Sequence, residues 1–399
     1  MFPMRSASGL TLWLCALAAL TEGFDTQSMG VAAPRVIAEF GLSTSQAAVI
    51  FSSTTFGLFL GAGAGGRIAD HWGRKRALIM SMLLFGLFSI LTAMTVGPVS
   101  LFAARLLTGL GLGGAMPNFI SLCSESTQDR QRVSIVTLIM AAMPFGGAIA
   151  ALTALGAQAG WDWRSIFYVG GIAPILLALL MAGLLPDLRR AATPDAQPTR
   201  IESVAAALFA GDQRTTTLLL WVAFFFTQLV LLLMLNWLPS LILGFGFTRS
   251  EASWAAVCFN LGGSVGAGFL GRLHAGRHRR LMVAITYSAI ALALVAVSTV
   301  GKTFYVAALA CAVAGVFIIG AQLILFALAP LYYKKSIRGT GVGASVSMGR
   351  LGSVMGPLYA GALLAGGGSS AAVLLGILPF VALGGGAAFA LTRRKQCHD

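Results

Sequence analysis

The chain has 399 residues, 57% of them hydrophobic and only 10% charged, with a mean hydropathy of +0.85, which excludes a water-soluble globular domain and defines an integral membrane protein. The formal net charge of +14 is not a nucleic-acid footprint, because the lysines and arginines fall in short connections and build no basic groove or aromatic ladder. Long unbroken apolar runs in place of alternation exclude a β-barrel, and the 49 glycines suit helices whose backbones approach closely in lipid.

A helix needs about 20 apolar residues to cross the hydrocarbon core. Six segments of the first half qualify: Leu10–Val31, Gln46–Gly65, Ala77–Val96, Ser100–Leu122, Val133–Gly156 and Ile166–Leu185. The first continues past two acids toward Pro34 with no small-residue cleavage site before them, so it reads as an uncleaved span. A polar stretch from Pro186 to Arg214 follows, and then six more segments: Thr215–Leu235, Ser253–Leu270, Leu281–Val300, Phe304–Leu328, Thr340–Leu364 and Ala371–Leu391. The expected architecture is all-α, with twelve transmembrane helices in two six-helix bundles, residues 1–186 and 215–399, joined by a linker at 187–214.

Basic residues set the orientation. With both termini cytoplasmic, 21 lysines and arginines lie on the inner side and only Arg35, Arg164, Arg249 and Lys302 on the outer. Trp161 and Trp163 suit an outer interfacial belt. The halves also echo each other at an offset of about 206 residues: Gly66-Arg67-Ile68 matches Gly271-Arg272-Leu273, Arg132 matches Arg338, and Glu22 falls opposite Gln228. Internal repetition of this kind marks transporters whose bundles rock about a central site.

Four charges lie inside the spans. Glu22 and Asp25 sit three apart in the first, Arg105 in the fourth and Arg350 near the middle of the eleventh. Each costs roughly 2.5 to 3.5 kcal/mol at the bilayer centre on insertion scales, so partners, water or protons must accompany them. Residues three apart share a helical face, which makes Glu22 and Asp25 a candidate proton or cation site. Arg350 is too far from either end to reach water along lipid, and its planar guanidinium suits bidentate capture of a carboxylate. A structural ion pair with Glu22 or Asp25 is the alternative. Because the four charges sum to zero, an anionic substrate would leave one excess negative charge unless a proton came with it. The residues therefore point to proton-coupled carboxylate uptake, with Asp25 as the main proton carrier and Glu22 its partner.

Uncharged polar residues within the spans extend the candidate binding set: Asn118, Gln228, Asn236, Asn260 and Gln322, with Phe224, Phe225, Tyr332 and Trp237 as further candidates. Gln228 and Asn236 are eight apart on one helical face. The four histidines fall in loops or the tail, and no catalytic motif or metal-ligand spacing is present, so neither enzyme activity, metal nor cofactor is expected.

The loop Gly66-Arg67-Ile68-Ala69-Asp70-His71-Trp72-Gly73-Arg74-Lys75-Arg76 closely resembles the loop joining the second and third spans of the major facilitator superfamily, departing from it at His71. Arg105 to Ala115 and Glu125 to Arg132 resemble the same superfamily's fourth-span and following-loop patterns. Asp70, Gly73 and Arg74, with Glu125, Arg132 and Arg338, would then govern the inner gate. Glu22-Gly23-Phe24-Asp25, Arg105 to Asn118, Trp163-Arg164, Ala329 to Tyr332 and Arg338 to Arg350 further resemble the aromatic acid:proton symporter family, most of all its branch similar to 3-(3-hydroxyphenyl)propionate transporters. The first residue of that family's first-span motif is usually aspartate, where this chain has Glu22.

The resemblance implies uptake of a small aromatic carboxylate with a proton across a bacterial inner membrane; the expected transporter is a monomer, with Arg350 and Arg105 steering the carboxylate. Composition and spacing do not supply the aromatic ring. A sugar or drug transporter of the same architecture, or a non-transporting membrane sensor, remains the competing reading at this stage.

Overall fold

The computed structural model describes the backbone of residues 7–127, 135, 138–156, 162–185, 208–209, 211, 213–274, 279–299, 303–333 and 337–394 and, except at 7–8, 70, 124–125, 271–274, 327 and 338–340, their side chains. The first half forms α1 (Ala7–Phe40), α2 (Thr44–Trp72), α3 (Arg74–Ala93), α4 (Pro98–Glu125), α5 (Ala142–Gly156) and α6 (Arg164–Leu184). The second forms α7 (Gln213–Gly244), α8 (Arg249–His274), α9 (Arg279–Ser298), α10 (Phe304–Leu328), α11 (Arg338–Ala365) and a last passage broken into α12 (Ser370–Gly376) and α13 (Leu378–Leu391). Most of the expected linker, 186–207 with 210 and 212, lies outside the described residues.

Local chemistry fixes several ends. Ser43 and Gln46 form a reciprocal capping box at the start of α2. Pro98 opens α4, where its missing N–H costs nothing. Gly73 separates α2 from α3 with φ +87°, a left-handed backbone that a side chain would strain. Helix α1 runs on to Phe40, well beyond the expected Val31, because Pro34 is accommodated inside it; Pro239 is likewise inside α7.

Ten segments of the described residues are long and apolar enough to cross a membrane. Helices α1 and α11 are not among them, and these two carry Glu22, Asp25 and Arg350. Their charges are tolerable because Glu22 and Asp25 are buried in protein and Arg350 lines the space between the bundles, away from lipid.

Each bundle is assembled by the same pairings. Helices α2 and α4 pack on reciprocal glycines: a Cβ at Gly57 would stand 2.0 Å from the Leu106 carbonyl oxygen, and one at Gly109 2.0 Å from that of Thr54. Helices α8 and α10 repeat the arrangement through Gly262 against Ala312 and Gly315 against Phe259. Helices α1 and α5 meet at Gly23 and Gly146, and their counterparts α7 and α11 at Gly352 and Gly356. Small residues bring the backbones into contact where no hydrophobic force acts between helices.

Contacts between bundles run through α1 with α7, α2 with α11 and α5 with α8. At the end bearing Phe40, Trp163 and Phe247, one apolar core includes residues of both bundles, from Met29 and Phe51 to Trp237 and Phe259. Trp237 stands edge-on to Phe51 with ring centroids 5.1 Å apart and donates to the Pro357 carbonyl, while Ser52 donates to that of Val354. Toward the basic end the core divides: one cluster holds Leu78, Phe119 and Met181 of the first bundle, another Leu220, Tyr332 and Leu391 of the second, and among the described residues of these clusters Leu323 of α10 alone packs across. Among the described residues, the apolar cores of the bundles are thus joined at one end and separate at the other.

Trp163 corrects the expected interfacial belt. It is only 2% exposed, packs edge-on against Phe40 and Phe167, and donates its indole N–H to Glu39. Its ring is used as an inter-helix strut because Glu39 at the end of α1 offers a carboxylate partner that lipid headgroups would otherwise supply. Trp161 lies outside the described residues.

Candidate functional site: a central cavity between the bundles

Where the core divides, a cavity opens between the bundles, lined by α1, α2, α4, α5, α7, α8, α10 and α11. Glu22, Arg105, Gln228, Asn236, Asn260, Gln322 and Arg350, all expected from sequence, line it. The wall is otherwise largely apolar, with Phe51, Leu58, Met140, Met143, Leu231, Ile319, Leu323 and Phe326 among its members. Predominantly apolar lining with a few convergent polar groups is the usual make-up of a small-molecule site.

Glu22 and Asp25 part company. Three residues along a helix leaves about 60° between two side chains, enough to send them to different neighbours. Glu22 is 1% exposed, lines the cavity, and its Oε2 has no hydrogen-bond partner. Asp25 is not among the lining residues; it points into the first bundle, where Arg105 forks onto it, Nη2 to Oδ2 at 3.2 Å and Nη1 to Oδ1 at 3.4 Å. Both partners are 0% exposed. Ser89 of α3 donates to Asp25 at 2.8 Å, Arg105 Nε donates to Thr54 of α2 at 3.1 Å, and the guanidinium lies 5.4 Å from the ring centroid of Phe167 on α6. One ion pair therefore gathers α1, α2, α3, α4 and α6, and Arg105 is fully enclosed instead of snorkelling outward.

Arg350 has no such partner. Among the described residues no acid forms an ion pair with it; its Nη2 donates to Met116 Sδ at 3.1 Å, and its Nε is unpaired. A weak sulfur acceptor is poor compensation for a buried guanidinium. Unpaired buried polar atoms cluster around this one cavity: Glu22 Oε2, Gln27 Oε1, Gln228 Oε1, both amide atoms of Gln322, and Arg350 Nε. Such atoms are costly unless something else satisfies them, and their convergence on one cavity is the arrangement that suits a polar ligand.

The 206-residue offset organises the wall. Glu22 and Gln228, Thr26 and Leu232, Thr54 and Asn260, Met116 and Gln322, and Pro144 and Arg350 are all separated by that number, and all ten residues line the cavity. Sequence reasoning missed Thr54, Met116 and Gln27. The first two were within reach, since the offset applied to Asn260 and Gln322 lands on them.

Other expected residues lie elsewhere. Asn118 is buried on α4 and donates to the Gly114 carbonyl, away from the cavity. Phe224, Phe225, Tyr332 and Trp237 pack in the bundle cores, not on the wall. Of the gating set, Gly73 takes its turn between α2 and α3 and Arg74 opens α3. The side chains of Asp70, Glu125 and Arg338, and all of Arg132, lie outside the described residues.

Two six-helix bundles enclosing a central, largely apolar cavity with a few convergent polar groups are the architecture of a membrane transporter. The family model of the Major Facilitator Superfamily matches residues 15–357 and again 220–396, and the chain belongs to that superfamily. It is 42% identical, over 99% of its length and 97% of the relative's, to the 3-(3-hydroxy-phenyl)propionate transporter of Escherichia coli strain K12. It is 31% identical to a gallate transporter of Pseudomonas putida, covering 91% of this chain and 87% of that one, and 29% identical to the 4-hydroxybenzoate transporter PcaK of the same species, covering 96% and 92%. Among solved structures, a bacterial homologue of the lysosomal transporter Spinster superposes with a TM-score of 0.77 at 15% identity, covering 98% of each chain, and a D-xylose-proton symporter with 0.76 at 17%, covering 95% and 96%. The protein is a multi-pass component of a bacterial inner membrane.

Proposed function

We propose that this chain imports a small aromatic carboxylic acid, such as 3-(3-hydroxyphenyl)propionate or a hydroxybenzoate-like acid, by proton symport through alternating access. The observation that carries the reading is the pair Glu22 and Arg350, which line one cavity with no ion pair between them. An unpaired guanidinium in an apolar chamber suits a carboxylate, and the surrounding leucine, methionine and phenylalanine side chains suit a ring. The relatives' names, all of aromatic acids, supply the substrate class.

The proton-carrying role passes from Asp25 to Glu22. Asp25 is already compensated by Arg105 and Ser89, so neutralising it would strand a buried cation. Glu22 faces the chamber with an oxygen unpaired, where a proton can reach it without breaking an ion pair. With both termini and the basic end in the cytoplasm, the bundles 1–186 and 215–399 rock about the cavity, and Asp70, Gly73, Arg74, Glu125, Arg132 and Arg338 form the inner gate. The parted basic end then corresponds to an inward-open state.

The test is uptake of labelled aromatic acids into cells with and without a protonophore. Uphill accumulation that collapses with the protonophore is expected; flux unaffected by it removes proton coupling, and no flux of any aromatic acid removes the substrate class. Arg350→Lys should weaken apparent affinity about tenfold or more through loss of a charge-assisted fork.

A further inference from the structure

Among the described residues, Gln322 is the one side chain with two buried polar atoms that lack any partner. It is 4% exposed, lines the cavity, and sits on α10 between Ile319, Leu323 and Phe326, which line it too. Positions 319, 322 and 326 follow helical spacing, so they form one stripe, apolar except for this amide. Phe326 is held by an edge-on contact with Phe224, centroids 5.5 Å apart. The stripe is a firm apolar bed broken by one donor–acceptor group.

The internal repeat does not require that amide. The corresponding residue of α4 is Met116, whose sulfur accepts from Arg350. The guanidinium thus reaches toward α4, while the free amide belongs to α10.

We propose that Gln322 recognises a hydroxyl group on the substrate's ring and so fixes the orientation in which the carboxylate meets Arg350. This rests on the aromatic-acid reading above. A carboxamide presents donors at one atom and an acceptor at the other, whichever way it is turned. A hydroxyl donates and accepts, and so satisfies both. A carboxylate only accepts and would set its charge against the amide oxygen. A bare ring edge leaves both atoms buried and unpaired, which costs the unhydroxylated acid about 10- to 100-fold in affinity.

The experiment uses the intact protein in proteoliposomes, comparing 3-(3-hydroxyphenyl)propionate, its methyl ether and 3-phenylpropionate as competitors of uptake. Wild type should favour the hydroxylated acid by at least tenfold over both others, since the ether cannot donate. Gln322→Leu should bring the three within about threefold, chiefly by weakening the hydroxylated one. If wild type takes all three equally, the proposal is overturned while the aromatic-acid reading stands. If the leucine variant keeps the preference, it is overturned as well. Should that variant fail to assemble, Gln322→Met, which copies the α4 counterpart, gives the same comparison, and the ether tests the donor with no mutation. If none of the three is transported or competes, the aromatic-acid reading fails first and this inference falls with it.

Discussion

Glu22 and Asp25 show how much three residues of helix can separate. Both were legible as buried ions, since carboxylates are rare within an apolar span, but their division was not: it depends on which neighbours fill the roughly 60° between them. Glu22→Gln should leave assembly and exchange of substrate intact while abolishing proton-driven accumulation, measured as the ratio of internal to external acid. Asp25→Asn should behave differently. It leaves Arg105 uncompensated, an effect of about 3 to 5 kcal/mol for a broken buried pair, so loss of folded protein and a lower melting temperature are expected before any defect in coupling. Equal stability of the two variants would count against the assignment.

Farther out, Glu39 links α1 to Trp163 and Arg164. Its carboxyl is held below the usual range, first by the hydrogen bond from Arg164 and next by that from Trp163. A depressed folded value means the contact contributes fully above the ordinary glutamate range and is lost as pH falls through the lower folded value. The stability gap between wild type and Glu39→Gln should therefore persist at pH 7 and pH 5 and close only below about pH 4. Because the carboxylate is 39% exposed, that gap is small.

At the scale of helices, glycine placement decides assembly. The abundance of glycine told that helices pack closely, but which pairs do so becomes visible only when Gly57 and Gly109 are seen against each other's helix. Gly57→Leu should prevent α2 from seating on α4, because its Cβ alone would lie 2.0 Å from a carbonyl oxygen of a backbone that cannot yield. Gly63, with nothing within 4 Å of an added Cβ, is the control, and Gly63→Ala should leave purified yield unchanged. The positions of most spans could be read from hydropathy, since length and apolarity are local properties. The end of α1 could not, because proline stops a helix in water and is absorbed inside a packed bundle. Nor could the burial of Trp163, which needs Glu39, 124 positions away, to explain it.

Across the whole molecule, the repeat gives a symmetric frame with unequal chemistry. Of the paired wall positions, the first bundle contributes the acid Glu22 and the second the amides Gln228, Asn260 and Gln322 and the guanidinium of Arg350. On the proposed function, proton handling falls to the first half and most of ligand recognition to the second, which would reconcile a duplicated fold with a one-sided task. The offset was readable in the sequence; what each half does with it was not, because that depends on which side chains meet across the gap.

The Asp25–Arg105 cluster has no twin. Its members at 25, 54, 89, 105 and 167 correspond to Leu231, Asn260, Val295, Cys311 and Val373, which form no charged hub. The leading half is accordingly pinned at its middle by a charged hub, while the trailing half is joined there by the neutral hydrogen bond between Thr227 and Tyr287. Backbone amides at mid-depth in α1 and α4 should exchange with deuterated solvent more slowly than those in α7 and α10, and Arg105→Met with Asp25→Leu should erase the difference. One lobe would then serve as the stiff stator and the other as the part that flexes in each cycle.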